Sequence, residues 1–97
     1  MEAAALRIEL RIPDARSLKA KRSSLRPVVE GLRAMASISV AEVDHHDAWQ
    51  RSTIGVAMVA ADAPRLDRLI DSVRRYLDDR IEVEVLEMGL TFLEEPV

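Results

Sequence analysis

The chain has 97 residues, of which 48% are hydrophobic and 32% charged, and its net charge is −3. These values are typical of one folded domain, residues 1–97, and they exclude a disordered chain or a protein whose whole surface binds nucleic acid. The absence of cysteine excludes disulfides, thiolate catalysis and cysteine-ligated zinc. The N-terminal stretch MEAAALRIELRIPDAR has neither a basic segment nor a long apolar run, so we expect a cytoplasmic protein without membrane contact.

The first part of the chain has the pattern of a strand followed by a helix. Apolar and charged side chains alternate over residues 4–12, which is the period of a strand with one buried face. The Pro-Asp pair at 13–14 ends this strand, and Ser17 is a suitable helix N-cap. Apolar residues then recur at helical spacing, namely Leu18, Leu25, Val29, Leu32 and Met35. Pro27 and Gly31 lie inside this pattern, so the proline should bend the helix or divide it near Arg26, and we predict one bent helix.

The second part of the chain contains three more strands and one more helix. The β-rich runs Ile38–Val43 and Thr53–Ala60 are joined as a hairpin with a long loop. Asp62 is the N-cap of a second helix, whose apolar stripe comprises Leu66, Leu69, Ile70, Val73 and Leu77. The last strand starts at Ile81, and its apolar phase shifts by one residue near Val85, which predicts a β-bulge there.

The element order βαββαβ predicts an α+β, ferredoxin-like sandwich. In this fold a four-stranded antiparallel sheet with the order 4-1-3-2 carries both helices on one face. The strand Thr53–Ala60 is apolar on both of its faces, which indicates that the open sheet face could contact another protein or form a homodimer. That strand has no aromatic residue, which excludes base stacking of the RNA-recognition-motif type.

The basic residues are concentrated in one segment. Residues 16–33 contain six basic residues and one acid, a net charge of +5 in a chain whose total is −3. The basic helix face that we predict comprises Arg16, Lys19, Lys21, Arg22 and Arg26. Together with the positive end of the helix, these side chains would bind RNA phosphates, and a solvated helix face is the alternative. We expect no DNA partner and no cofactor.

The hairpin segment AEVDHHDAWQRS at 41–52 contains both histidines and the single tryptophan. Its candidate functional residues are Asp44, His45, Asp47, Trp49, Gln50 and Arg51. Adjacent histidines on an extended backbone point to opposite sides, and no third histidine or cysteine completes a zinc site, so we predict no metal. A His–Asp pair can act in acid–base catalysis, but it also occurs in hydrogen-bonded loops. Trp49 either anchors the loop over the core or forms a stacking surface for a partner.

Two motifs in this sequence resemble the YlxP-like family, a bacterial group of unknown function. The helix start S-L-K-x-K-R is matched by Ser17, Leu18, Lys19, Lys21 and Arg22. The hairpin E-V-D-H-x-D-x-W-Q-R is matched by Glu42, Val43, Asp44, His45, Asp47, Trp49, Gln50 and Arg51. The resemblance covers essentially the whole chain. It implies a ferredoxin-like fold, no established activity, an association with translation genes and a likeness to ribosome-binding factor A.

The sequence favours a non-enzymatic binding protein that contacts RNA or a ribosomal particle through the basic helix face. One alternative is a protein-interaction or self-associating module that uses the open sheet face and the Trp49 hairpin. The other is a small metal-dependent or acid–base enzyme centred on His45.

Overall fold

A computed structural model describes residues 1–95 of the chain. Its elements are β1 (Glu2–Arg11), α1 (Leu18–Arg33), β2 (Ile38–Asp44), β3 (Arg51–Ala60), α2 (Ala63–Asp78) and β4 (Glu84–Leu93). The strands form one antiparallel sheet with the order β2-β3-β1-β4, which is the predicted order 4-1-3-2 read from the opposite edge. The α+β, ferredoxin-like fold is therefore confirmed. Among the described residues, no helix combines the length and the apolar character that a membrane span requires.

The core lies between the helices and one face of the sheet. The register of β1 and β3 pairs Leu6 with Val56 and Ile8 with Ile54, and none of these four is more than 1% exposed. Leu32 of α1 is fully buried against the same face. Each buried side chain of this size contributes about 2 kcal/mol relative to an exposed one. Every second residue of β1 and β3 is buried under the helices. The residues between them point to the opposite side of the sheet, which we call the open sheet face.

Helix α1 runs without interruption from Leu18 to Arg33, so the prediction of one helix is confirmed, and a division next to Pro27 does not occur. The Ser17 N-cap is confirmed, since Ser17 Oγ accepts a hydrogen bond from the Ala20 backbone N–H at 3.0 Å. Pro27 lies on the exposed side of the helix, where water can reach the carbonyl group that the missing N–H leaves free.

Gly31 allows α1 and α2 to approach each other closely. A Cβ atom at this position would lie 2.6 Å from Tyr76 Cζ, inside the contact distance of real side chains. The Tyr76 hydroxyl donates to the Val28 carbonyl oxygen at 3.1 Å, so the ring has little freedom to move away. The glycine that appears unfavourable for the helix therefore serves the packing of the two helices.

We expect Gly31→Ala to lower the free energy of unfolding by about 1–2 kcal/mol, measured by urea denaturation. The displaced Tyr76 ring costs more than the gain of about 1 kcal/mol in helix propensity. The matched control is Gly89→Ala, because the nearest atom to a Cβ there is 3.9 Å away. Equal stability of the two variants would contradict the close approach of the helices.

Strand β4 begins at Glu84, three residues later than we predicted. Residues 81 and 82 form a bend before the strand. Ile81 is 93% exposed there and Val83 is buried, so the apolar alternation over these residues does not come from a strand. The predicted bulge near Val85 is confirmed, because the register of β4 against β1 shifts there and leaves Leu86 without an opposite residue.

Candidate functional site

Lys21 lies beneath the β2–β3 hairpin and not on the helix surface. Its side chain is 2% exposed, and its Nζ donates to the backbone oxygens of His45 at 2.6 Å and His46 at 3.3 Å. The same Nζ is 3.1 Å from Glu42 Oε2. A buried ammonium needs acceptors for its protons and a counter-charge, and this site provides both. The prediction that Lys21 belongs to an exposed phosphate-binding face is therefore wrong.

Helical spacing explains the position of Lys21. It precedes Leu25 by four residues and Val28 by seven, and all three belong to the buried side of α1. Its charge suggests a surface position, but its spacing places it on the apolar stripe. That spacing is the signal in the sequence that distinguishes Lys21 from its basic neighbours.

The other four predicted basic residues are exposed, and we call them the cation row: Arg16, Lys19, Arg22 and Arg26. Spacings of three and four residues place the last three on one side of α1. They border a shallow groove lined by Leu18, Lys19, Arg22, Ser23, Arg26 and Pro27. Within residues 1–95, the ion pairs of the structure involve other side chains than these four.

Helix α2 has many arginines but a balanced charge. Residues 62–80 contain five arginines and five aspartates. One of these pairs is in contact, with Arg65 Nη1 3.1 Å from Asp62 Oδ2. Residues 16–33, which contain α1, have in contrast one acid for six basic residues. The excess of positive charge is therefore concentrated on α1 and the residues just before it.

The hairpin loop, residues 45–50, is attached beside the start of α1. Gln50 Nε2 donates to the Ala15 backbone oxygen at 3.1 Å, and the Ile12 backbone N–H donates to the Gln50 oxygen at 3.0 Å. Trp49 is nevertheless 53% exposed, so the interpretation in which its ring covers the core is wrong. Lys21 also donates hydrogen bonds to the loop backbone, so the loop that carries the exposed Trp49 is fixed beside the start of α1.

A hydrogen-bond chain links His45 to the open sheet face. Thr53 Oγ1 donates to Glu9 Oε2 at 2.5 Å, so the same oxygen accepts from His45 Nδ1, which is 3.0 Å away. This arrangement fixes Nδ1 as a protonated nitrogen of His45. Thr53 is fully buried and stands opposite Glu9 in the sheet. The sequence does not reveal this chain, because it depends on the β1–β3 register.

The two histidines have separate partners, although the backbone between them is not extended. His45 has φ 60°, a left-handed conformation that costs a non-glycine residue about 1 kcal/mol or more. His46 Nε2 is 3.2 Å from the Glu42 backbone oxygen, whereas His45 contacts Thr53. Asp47 is exposed on the loop. In the described part of the chain, no three metal-ligating side chains come together. An acid–base role of His45 stays a prediction.

Charged residues flank this hydrogen-bond chain. Arg51 Nη2 is 3.8 Å from Glu9 Oε2, and Arg7 Nη2 is 3.6 Å from Asp44 Oδ2. The His45 backbone N–H donates to Asp44 Oδ1 at 2.7 Å. This hydrogen bond lowers the pKa of the Asp44 carboxyl, and the nearby His45 ring, whenever it is protonated, and the Arg7 guanidinium lower it further. Asp44 therefore remains ionised at neutral pH and holds the strand end in place.

The open sheet face carries small side chains near its centre. A shallow depression there is bordered by Ala5, Ser39, Ala41, Val43, Gly55 and Ala57. Self-association through this face stays a prediction, since small residues permit close approach but do not identify a partner.

The fold and the site define a small ferredoxin-like protein with a basic first helix and a hairpin bonded to that helix. The family model described as "Protein of unknown function (DUF503)" matches residues 3–89. The chain belongs to this family, and the resemblance to the YlxP-like group is thereby confirmed. "Uncharacterized protein YlxP" of Bacillus subtilis (strain 168) is 30% identical over 73 residues, which are 75% of this chain and 79% of that protein.

A solved structure agrees with the fold. "De novo designed protein Foldit4" superimposes with a TM-score of 0.53 and 12% sequence identity, covering 97% of this chain and 99% of the designed one. At this identity the likeness concerns the fold alone.

Proposed function

We propose that this protein binds RNA, free or within a ribosomal particle, through the cation row, without catalysing a reaction. The proposal rests on four exposed cations, three on α1 and one just before it, which lie outside the ion pairs of the described residues in a chain of negative total charge. Exposed arginine and lysine side chains that take part in no ion pair bind phosphate oxygens with charge-assisted hydrogen bonds. The N-terminal end of α1 adds free backbone N–H groups, whose partial positive charge also attracts phosphate. The association with translation genes that the YlxP-like resemblance implies favours RNA as the partner.

The position of Trp49 supports a preference for unpaired bases. The neighbouring Gln50 donates a hydrogen bond to Ala15, which precedes Arg16 of the cation row, so the backbone that carries the exposed Trp49 lies near the start of the row. Stacking of a base on an aromatic side chain contributes about 1–3 kcal/mol. A single strand can place its phosphates on the cation row and one base on Trp49, whereas the bases of a duplex are already stacked. We therefore propose single-stranded RNA segments as the ligand.

Removal of three cations from α1 tests the phosphate contacts. The variant replaces Lys19, Arg22 and Arg26 with alanine. We expect its affinity for a fluorescently labelled single-stranded RNA to fall by about tenfold or more at low salt, and similarly for all sequences, because phosphates carry no sequence information. Fluorescence anisotropy measures the affinity.

The matched control removes the same charge from α2, through alanine at Arg68, Arg74 and Arg75. These residues are exposed as well, but aspartates surround them. We expect the control to retain most of the affinity. An equal loss in both variants would show that total charge alone governs binding, and full affinity in the α1 variant would contradict the proposal.

The fluorescence of Trp49 tests the base contact, because it is the single tryptophan of the chain. We expect single-stranded RNA to quench this fluorescence and Trp49→Ala to weaken binding at least fivefold, as the loss of one stacked base implies. Duplex RNA should leave the fluorescence unchanged. If a complex forms without quenching, the phosphate contacts stand and the stacking role of Trp49 is wrong.

A further inference from the structure

The edge strand β4 exposes an unusual amount of apolar surface. Nine large hydrophobic side chains are exposed within residues 1–95, and four of them lie on this strand: Leu86, Leu90, Phe92 and Leu93, at 40–56% exposure. In the described sheet, β4 has β1 on one side and no strand on the other, so its outer N–H and C=O groups are free. Folded proteins usually protect such an edge with charges, prolines or a covering element. The segment 88–93, MGLTFL, has neither charge nor proline.

We propose that β4 pairs antiparallel with β4 of a second copy of the chain, which would form a continuous eight-stranded sheet. Free backbone groups along a strand are best satisfied by another strand, so the edge itself selects a β-strand as its partner. A second copy suits this edge because a two-fold axis repeats the same uncharged segment on both sides of the contact. The inference is independent of the proposed RNA binding.

Sheet geometry restricts the register of this pair. Met88, Leu90 and Phe92 stand opposite buried residues of β1, so their side chains point to the helix side of the sheet. Opposite residues of an antiparallel pair lie on the same face. A two-fold axis perpendicular to the sheet keeps the helices of both copies on the same side of the sheet. Facing residues must then be an even number of positions apart in the sequence, so one residue lies on the axis and faces its own copy.

Leu90 is the residue that best fits this position on the axis. It places Met88 opposite Phe92 of the second copy, and the exposed apolar side chains on the helix side then contact one another. If Thr91 lay on the axis instead, Glu87 would stand opposite Glu95 of the second copy. Like charges directly opposite each other destabilise a sheet. The cation row stays free in this dimer, because α1 packs over β2 at the other edge of the sheet.

A single introduced cysteine tests the register, because the chain has no cysteine of its own. Residues that face each other across antiparallel strands have Cα atoms about 4.5–5.5 Å apart, within the range of a disulfide. We expect Leu90→Cys to form a covalent dimer under mild oxidation. The control is Leu86→Cys. With Leu90 on the axis, the two copies of residue 86 are eight positions apart along the strands, about 26 Å at about 3.3 Å per residue, so this variant should not crosslink. Equal crosslinking of both variants would overturn the proposal.

Light scattering tests the dimer itself. We expect the unmodified protein to have twice its chain mass of 10.9 kDa and Phe92→Lys to be monomeric at the same concentration. The matched control is Val59→Lys, which changes a similarly exposed residue on β3, a strand that β1 separates from β4, and it should remain dimeric. A monomeric unmodified protein overturns the proposal. So does a dimer that Val59→Lys dissociates and Phe92→Lys does not, since that result would assign the contact to the open sheet face.

Discussion

Replacement of Lys21 with alanine should lower the free energy of unfolding by about 3 kcal/mol, the lower end of the cost of breaking a buried ion pair. The change leaves the backbone oxygens of His45 and His46 without the donor that they share. It also leaves Glu42 without its counter-charge at a site where the carboxylate side chain is 25% exposed. The loss stays near the lower end because Glu42 keeps the hydrogen bond from Ser52 and some contact with water.

Thermal denaturation followed by circular dichroism measures this effect as a fall in Tm of about 15 °C for a domain of this size. The control is Lys19→Ala, two residues earlier and exposed, which should stay within about 0.5 kcal/mol of the unmodified protein. Lys21→Met keeps the aliphatic stem and removes the ammonium, so it should recover less than half of the loss. If Lys21→Ala were as stable as Lys19→Ala, the buried position of Lys21 would be wrong.

Replacement of Thr53 with valine should have the second largest effect, about 2 kcal/mol of unfolding free energy. Valine keeps the shape of the side chain but removes the hydroxyl that donates to Glu9 and accepts from His45. Both partners then lose a hydrogen bond at a site with little access to water, since the Glu9 side chain is 18% exposed. The left-handed turn at His45 loses one of its attachments to the sheet as well.

Urea denaturation measures the cost of Thr53→Val, and NMR of the His45 ring tests its cause. In the unmodified protein the Nδ1 proton should exchange slowly with water, and in the variant it should exchange rapidly. Thr91→Val is the matched control, because Thr91 is exposed on β4 on the same sheet face. A cost no larger than that of the control would show that the hydrogen-bond chain does not stabilise the hairpin.

The element order could be predicted from the sequence because its signals are local. The alternation in β1, the caps Ser17 and Asp62 and the phase shift near Val85 each depend on neighbouring residues. Pro27 is different, because the cost of a proline is local but its tolerance depends on which side of the helix faces water. Gly31 is likewise explained by a residue of the other helix and not by its own neighbours.

The candidate site could be predicted only in part, because its contacts join distant residues. The basic helix face could be predicted from helical spacing alone, and four of its five predicted residues are exposed. Lys21 binds the hairpin across 24 and 25 residues, and Thr53 reaches Glu9 across 44. A sequence identifies the types of these residues but not their partners, which depend on strand register and on how the hairpin lies against α1.

The salt dependence of RNA binding tests the role of the cation row most directly. For a single-stranded ligand, each phosphate contact contributes about −0.7 to the slope of log K against log salt concentration. Four contacts from Arg16, Lys19, Arg22 and Arg26 predict a slope of about −3, and the alanine variant of the last three residues should have a slope of about −1. The same titration with ribosomal fractions extends the measurement to the assembled particle. A slope near zero, or no binding to RNA or ribosomal particles at low salt, would contradict the proposed function.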